Sequence, residues 1–469
     1  MARYLLWPKE HDMKEAVRDI ARRSGSRDRA VLGQMIKNVK SEFSIVDEID
    51  RLLAHFQQQV RALGISPESD HPSIIESPTG GLVLEMAPEI AEQIRQESYV
   101  QLCSDAVLSL IEPMEQQPPH QLSSVSPTWH LDVIGLEAAR KRGFKGTGKG
   151  VNIAVVDTGI DGTHPDLKSK LIRNAKLTDD GRTTLVTSDA EDTNGHGTSV
   201  AGLIVSDAFG VAPGANLTSY NTLPSGQGKL TDFVLALNAI ARDSAIDIVN
   251  ISAGLPGYWS EMERAVENLR ALGLMAVVAT GNSGRNTSCS PGNLRGVLSV
   301  GASDRHEKVS SFSGSASLEC RSHYYDVPDL VAPGEGVTTL ERGGGYVQAG
   351  GSSFAAPIVS GIAALILEQR QTMNMFDLYE ALIEGSTDAL APTSARRQGA
   401  GRVNVSVAER LAGESGESDA DGAKTPRPTI GRPSRAKKKS AAKKTSARSG
   451  GRAKKTSARR GDTSGRRSD

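Results

Sequence analysis

The chain has 469 residues and carries 55 Lys plus Arg against 55 Asp plus Glu, so its formal charge is zero. That neutrality hides two materials: residues 424–469 hold 17 Lys/Arg against only Asp462 and Asp469, and the rest of the chain carries the compensating acidity. The length allows one large domain with appendages, and an odd set of three cysteines argues against a disulfide-built fold, leaving reduced thiols or at most a Cys289–Cys320 bridge.

At the N-terminus the apolar stretch Tyr4-Leu5-Leu6-Trp7 ends at Pro8, too short for a secretory signal, and no apolar run of about 18 residues suggests a membrane span. These features predict a cytoplasmic protein without a membrane partner. Residues 1–75 read as a helical region, in which Ile45, Ile49, Leu52, Leu53, Phe56 and Val60 share one stripe. A Pro/Ser-rich stretch over 66–81 follows. Residues 76–120 then read as a small α/β unit: a strand at 81–86, a helix at 88–97 and a strand at 105–112, closed by the polar linker Gln116-Gln117-Pro118-Pro119-His120-Gln121.

Over 127–411, apolar runs alternate with amphipathic stretches. Val151–Val156, Ile246–Ser252, Leu274–Ala279 and Val297–Ala302 read as buried strands, and 230–242 and 261–272 as helices. Near-continuous apolar strands alternating with helices predict an α/β fold: a doubly wound, mostly parallel sheet with helices on both faces. Such sheets place ligand sites at the carboxyl ends of their strands. Asp157 ends the first run, Ser252-Ala253-Gly254 closes the second, and Asn282 follows Ala279-Thr280-Gly281.

Three segments then carry an Asp, a His and a Ser in chain order: Val155-Val156-Asp157-Thr158-Gly159, Gly195-His196-Gly197-Thr198 and Gly351-Ser352-Ser353-Phe354-Ala355-Ala356-Pro357. A serine hydroxyl needs a neighbouring base, an imidazole can take its proton near neutrality, and a carboxylate can fix the imidazole tautomer. The run 354–368 reads as a helix whose amino end, beginning at Ser353, favours developing negative charge, with Pro357 in its first turn. The order Asp-His-Ser and the local flanks resemble the subtilisin-like serine proteases over roughly Trp129 to Val405.

The resemblance implies a serine endopeptidase with Asp157, His196 and Ser353 as its triad and Asn282 as an oxyanion donor. It further implies protein or peptide substrates bound as an added strand, between Ser252-Ala253-Gly254 and Gly226-Gln227-Gly228. The small residues lining that site suggest an open pocket and a preference for an apolar residue before the cleaved bond. The unit over 76–120 stands where the family's inhibitory prodomains stand; it reads either as such a prodomain, cleaved between about 115 and 126, or as an accessory domain that is never removed.

Two departures from the family pattern stand out. Ser199 replaces a second histidine after His196, and the loop 205–213 is shorter than the one that holds calcium in secreted relatives. Asp166, which matches a carboxylate of that site, is therefore read as a local structural residue: no cofactor is required and calcium is not indicated. The tail over 413–469 is expected to be disordered. Its Lys/Arg run, with the repeat Ala442–Arg448 and Ala453–Arg459, suits a nucleic acid or another polyanion. A rival reading follows: a polyanion-tethered scaffold whose protease fold is silent.

Overall fold

The computed structural model describes residues 2–8, 73–74, 82–86, 88–95, 100–111, 114–117, 126–177, 183–186, 191–320, 323–387 and 395–418. The expected apolar stripe over 45–60 and the basic tail from 419 onward lie outside the described residues.

The centre is an eight-stranded sheet. From one edge its strands are Leu330–Pro333, Leu298–Ser303, Met275–Ala279, Ile248–Ile251, Asn152–Asp157, Asn216–Asn221, Leu171–Leu177 and Thr183–Val186. All neighbours pair in parallel except the last two, which pair antiparallel. The four apolar runs read from sequence are four of these strands, and their continuity has a plain cause: both faces are covered. Along Asn152–Asp157, Ile153 and Val155 enter the core beneath the helices His196–Val205 and Ser352–Gln369, whereas Ala154 and Val156 enter the opposite core. The helices Leu230–Arg242 and Glu263–Ala271 cover that second face. Ser352–Gln369 is apolar and long enough by composition to cross a membrane, which the sequence reading did not notice, but it is buried here as the core helix.

The N-terminal segment departs from expectation. Ala2–Pro8, placed in a helical region from sequence, is a strand in a separate four-stranded antiparallel sheet, flanked by Leu82–Met86 and Val100–Ser104, with Ser73–Ile74 at the edge. Its partners lie more than seventy residues away, and local periodicity cannot report such pairing. The helix Pro88–Arg95 completes the unit. This unit meets the domain built on the eight-stranded sheet at the helix Leu230–Arg242, which has no side-chain cap of its own. There Asp105 accepts hydrogen bonds from the Thr231 backbone and hydroxyl, both at 2.9 Å, and Arg3 pairs with Asp232 at 2.9 Å.

The expected strand over 105–112 belongs elsewhere. Its observed core, Val107–Leu110, is not part of the N-terminal sheet and lies antiparallel between Gln227–Lys229 and Ala253–Pro256.

Candidate active site

Asp157 ends the central strand and His196 opens the next helix, so the fold brings them together across 39 residues. His196 Nδ1 donates to Asp157 Oδ1 at 2.8 Å, and both side chains are 1% exposed. Asp157 Oδ1 also accepts the Thr158 N–H at 2.7 Å. The bond to Nδ1 fixes the tautomer that leaves Nε2 as the proton acceptor. Nε2 is buried and has no hydrogen-bond partner among the described residues, so it is available for a reacting group. Gly197 permits this closeness: a Cβ there would meet the Gly159 carbonyl oxygen at 2.0 Å.

Sequence reasoning missed the group that holds the histidine helix. Asp192, 5% exposed, accepts the N–H groups of Asn194, Gly195 and Thr198 at 2.8–3.0 Å, together with the hydroxyls of Thr158 at 2.9 Å and Thr198 at 2.6 Å. Thr158 Oγ1 in turn accepts the Gly197 N–H at 3.0 Å. One carboxylate thus takes the Thr198 N–H directly, holds the Thr158 hydroxyl that takes the Gly197 N–H, and so joins the helix start to the Asp157 loop, while Asn194 Oδ1 accepts the His196 N–H at 3.1 Å. Only its position four residues before His196 could have drawn attention to it.

The helix that carries Ser353 begins at Ser352, one residue earlier than expected. Gly351 precedes it with φ 149°, and a Cβ there would come within 2.9 Å of Asn282 Nδ2. Asn282 Oδ1 accepts from Ser352 N at 2.8 Å and Ser352 Oγ at 2.9 Å, which fixes the amide and brings its NH2 group to this helix start. The Ser353 N–H lies in the first turn, where no helical carbonyl reaches it. Pro357 is the sixth residue of the helix, beyond its first turn, contrary to expectation. Its missing N–H strands the Ser353 carbonyl, which instead accepts from Ser252 Oγ at 2.9 Å. The helix break therefore finds its partner at Ser252, between the strands Ile248–Ile251 and Ala253–Pro256.

Ser353 is fully buried, and its Oγ lies 3.3 Å from the Ser252 carbonyl oxygen and 3.4 Å from the Ile111 carbonyl oxygen. No Ser353–His196 hydrogen bond forms in this arrangement, but the His196 ring packs 5.1 Å, centroid to centroid, from Phe354, the next residue along. Such bonds commonly tighten only in the reacting complex.

The two segments assigned to substrate hold a segment of the chain itself. Ala253 and Gly254 pair with Leu110 and Ser109; Gln227 and Gly228 pair with Ser109 and Leu108. Gly226 borders Leu110, whose Cδ1 would lie 3.4 Å from a Cβ there. Leu108 and Ile111 are buried, and Val107 at the entrance is 63% exposed. Each buried aliphatic side chain contributes up to roughly 1.5–3 kcal/mol of apolar transfer, so Leu108 and Ile111 anchor the segment. Beyond Ser353 the chain re-emerges as the strand Met114–Gln117, paired with Tyr346–Gly350.

Elsewhere, all three cysteines are free thiols. Asp166 accepts from Ser206 Oγ at 2.6 Å, and Asp207 pairs with the Lys170 ammonium at 2.9 Å, which also donates to the Pro213 carbonyl. Asp166 and Asp207 thus each bond one of the protein's own donors, of which the Lys170 ammonium is cationic. Ser199, the residue in place of a second histidine, donates to the Leu340 carbonyl at 2.7 Å. It ties the histidine helix to the hairpin Glu335–Leu340/Tyr346–Gly350.

Comparison with known proteins agrees with this geometry. The model of the subtilase family matches residues 148–401. The chain is 31% identical to M-protease of Shouchella clausii (strain KSM-K16) over 70% of this chain and 80% of the relative. It is 33% identical to Subtilisin Savinase of Lederbergia lenta over 61% of this chain and 99% of that protein. With Thermophilic serine proteinase of Bacillus sp. (strain AK1) it shares 33% identity over 52% of its own length, spanning 58% of that relative. The chain belongs to the subtilase family and is a serine endopeptidase with the α/β subtilisin fold. The cytoplasmic placement expected from the sequence is withdrawn: it rested on not finding a secretory signal, whereas the matched relatives are secreted subtilisins.

Proposed function

We propose that this endopeptidase cuts through an acyl-enzyme formed on Ser353, and that its first substrate is its own N-terminal segment. Ser353 Oγ attacks the peptide carbonyl carbon while its proton passes to His196 Nε2, and Asp157 stabilises the resulting imidazolium. The Asn282 amide and the Ser353 N–H receive the oxyanion. Collapse breaks the C–N bond, and the imidazolium proton goes to the leaving amine. Water then attacks the ester carbonyl and gives a proton to His196; the bond from the acyl carbon to Ser353 Oγ breaks, the acid product leaves, and the imidazolium returns its proton to Ser353 Oγ.

The observation that carries the second half is the Ile111 carbonyl oxygen, 3.4 Å from Ser353 Oγ on a segment paired with both substrate-lining strands. It favours scission between Ile111 and Glu112, upstream of the window 115–126 read from sequence. The buried Ile111 also favours an apolar residue before the cleaved bond. Residues 1–111 are then an inhibitory prodomain that retains its hold through Asp105 and Arg3. Intact-mass analysis of the wild type beside Ser353→Ala tests both halves. The expected result is a new N-terminus at Glu112 in the wild type and an uncut Ser353→Ala chain. A wild type that stays whole and fails to react with a fluorophosphonate would instead support the silent scaffold.

A further inference from the structure

We propose that the cleft reads its substrate as an extended strand on both sides of the cut, with the edge of Tyr346–Gly350 engaging residues up to the sixth position on the leaving-group side. The proposal rests on the endopeptidase reading and on Ile111–Glu112 as the bond presented to Ser353. Counted from that bond, Met114 is the third residue and Gln117 the sixth. Met114 is in register with Gly350 and Gln117 with Gln348, antiparallel, with one register shift between them. Tyr346–Gly350 is the central strand of three: Glu335–Leu340 covers one edge, and Met114–Gln117 occupies the other. After scission Met114–Gln117 belongs to the new N-terminal segment of the enzyme; once that segment lifts from the edge, the edge presents unpaired N–H and C=O groups to whatever follows the next scissile bond.

The edge is held in place from several directions. Thr339 Oγ1 donates to the Ser199 carbonyl at 2.5 Å, Ser199 Oγ to the Leu340 carbonyl at 2.7 Å, and the Gly343 N–H at the hairpin tip to Asp161 Oδ2 at 2.9 Å. Arg342 reaches the Asp192 carbonyl at 3.0 Å. These bonds tie the hairpin to the helix that carries His196 and to the loop after Asp157, so an edge preorganised for a strand sits in fixed relation to the catalytic groups. Together with Val107–Leu110 on the other side, the occupant pairs with the cleft both before and after the proposed bond. The substrate class this selects is long, extended, unfolded polypeptide rather than short peptides.

The test uses the full chain, incubated until its activity is constant, and substrates that keep the sequence of residues 107–111 before the bond. One peptide continues through the sequence of residues 112–117, a second stops at the position of Pro113, and a third is the long peptide N-methylated at the positions of Glu115 and Gln116. Adjacent residues in a strand aim their N–H groups to opposite sides, so one of the two methyl groups necessarily removes a donor facing the edge. The p-nitroanilide of residues 107–111 serves as a substrate with nothing beyond the bond. The expected result is a kcat/KM about tenfold or more higher for the long peptide than for the truncated one, the size of a few net backbone hydrogen bonds, with N-methylation returning it to the truncated level. Equal rates for all three peptides, with the anilide hydrolysed, would overturn this proposal alone. No hydrolysis of the anilide or of any peptide would overturn the endopeptidase reading and this proposal with it.

Discussion

The Ile111 carbonyl oxygen lies 3.4 Å from Ser353 Oγ, although the two residues are 242 positions apart. What holds them there is a strand pairing on either side, and on the proposed reading the same pairing defines the subsites. From this arrangement the roles of the surrounding groups can be tested one at a time.

Asn282 is fixed by two hydrogen bonds from Ser352. Replacement by Leu removes the amide donor and should lower kcat by about 10²–10³ with KM little changed, a magnitude known from a subtilisin relative. Steady-state kinetics on the p-nitroanilide of residues 107–111 checks this, and a fall confined to KM would remove Asn282 from the oxyanion site.

Asp192 is a positioning residue for His196. In Asp192→Asn one acceptor oxygen becomes a donor NH2, which cannot serve both the N–H and the hydroxyl of Thr198 or, turned over, the cluster around Gly195. The expected outcome is a loss of about 1–3 kcal/mol in urea unfolding and a drop in kcat at unchanged KM. Asp192→Glu should recover less of kcat than of stability, because its longer stem displaces the helix start.

His130 supplies a pH dependence. It is buried, its Nε2 bonds the Phe209 carbonyl at 2.9 Å, and burial pushes its pKa down to about 4. The unfolded imidazole titrates near 6.5, so as pH falls from there toward 4 the unfolded chain takes up a proton that the folded chain refuses. Stability is therefore full above that window and lost within it, by about 2 kcal/mol between pH 7 and 5. His130→Gln, which keeps a donor for the Phe209 carbonyl, should show a smaller loss over the same interval in urea titrations. Asp329, pushed up to about 6 by burial, acts with the opposite sign but equally in both proteins, and so cancels in the comparison. Identical pH slopes would show that the imidazole charges freely in the fold.

Much of the candidate site was legible because each residue of the proposed triad needs a local sequence to stand where it does. A strand must end at Asp157, a glycine must follow His196 to clear the Gly159 carbonyl, and Gly351 must pass close to Asn282. The small residues over 252–254 and 226–228 likewise marked a place for another backbone. What stayed hidden depends on pairing between distant segments. Nothing near Ala2–Pro8 reveals its partners at 82–86 and 100–104, and nothing near Val107–Leu110 says that it leaves its own sheet for the cleft. Asp192 resembles any other acidic loop residue until the amide groups around it are seen. Pro357 was misplaced because its cost depends on Ser252, a residue 105 positions away.

The occupied cleft has a consequence for how such a molecule falls silent and wakes. Blocker and blocked are one chain, so the blocker's local concentration is set by tether length and does not change when the solution is diluted. On the proposed self-cleavage, latency of this kind is not relieved by scarcity: the first cut would be a unimolecular clock that runs at one rate in a crowded or an empty compartment. Only afterwards, when the severed piece becomes a separate solute, does the number of copies begin to matter.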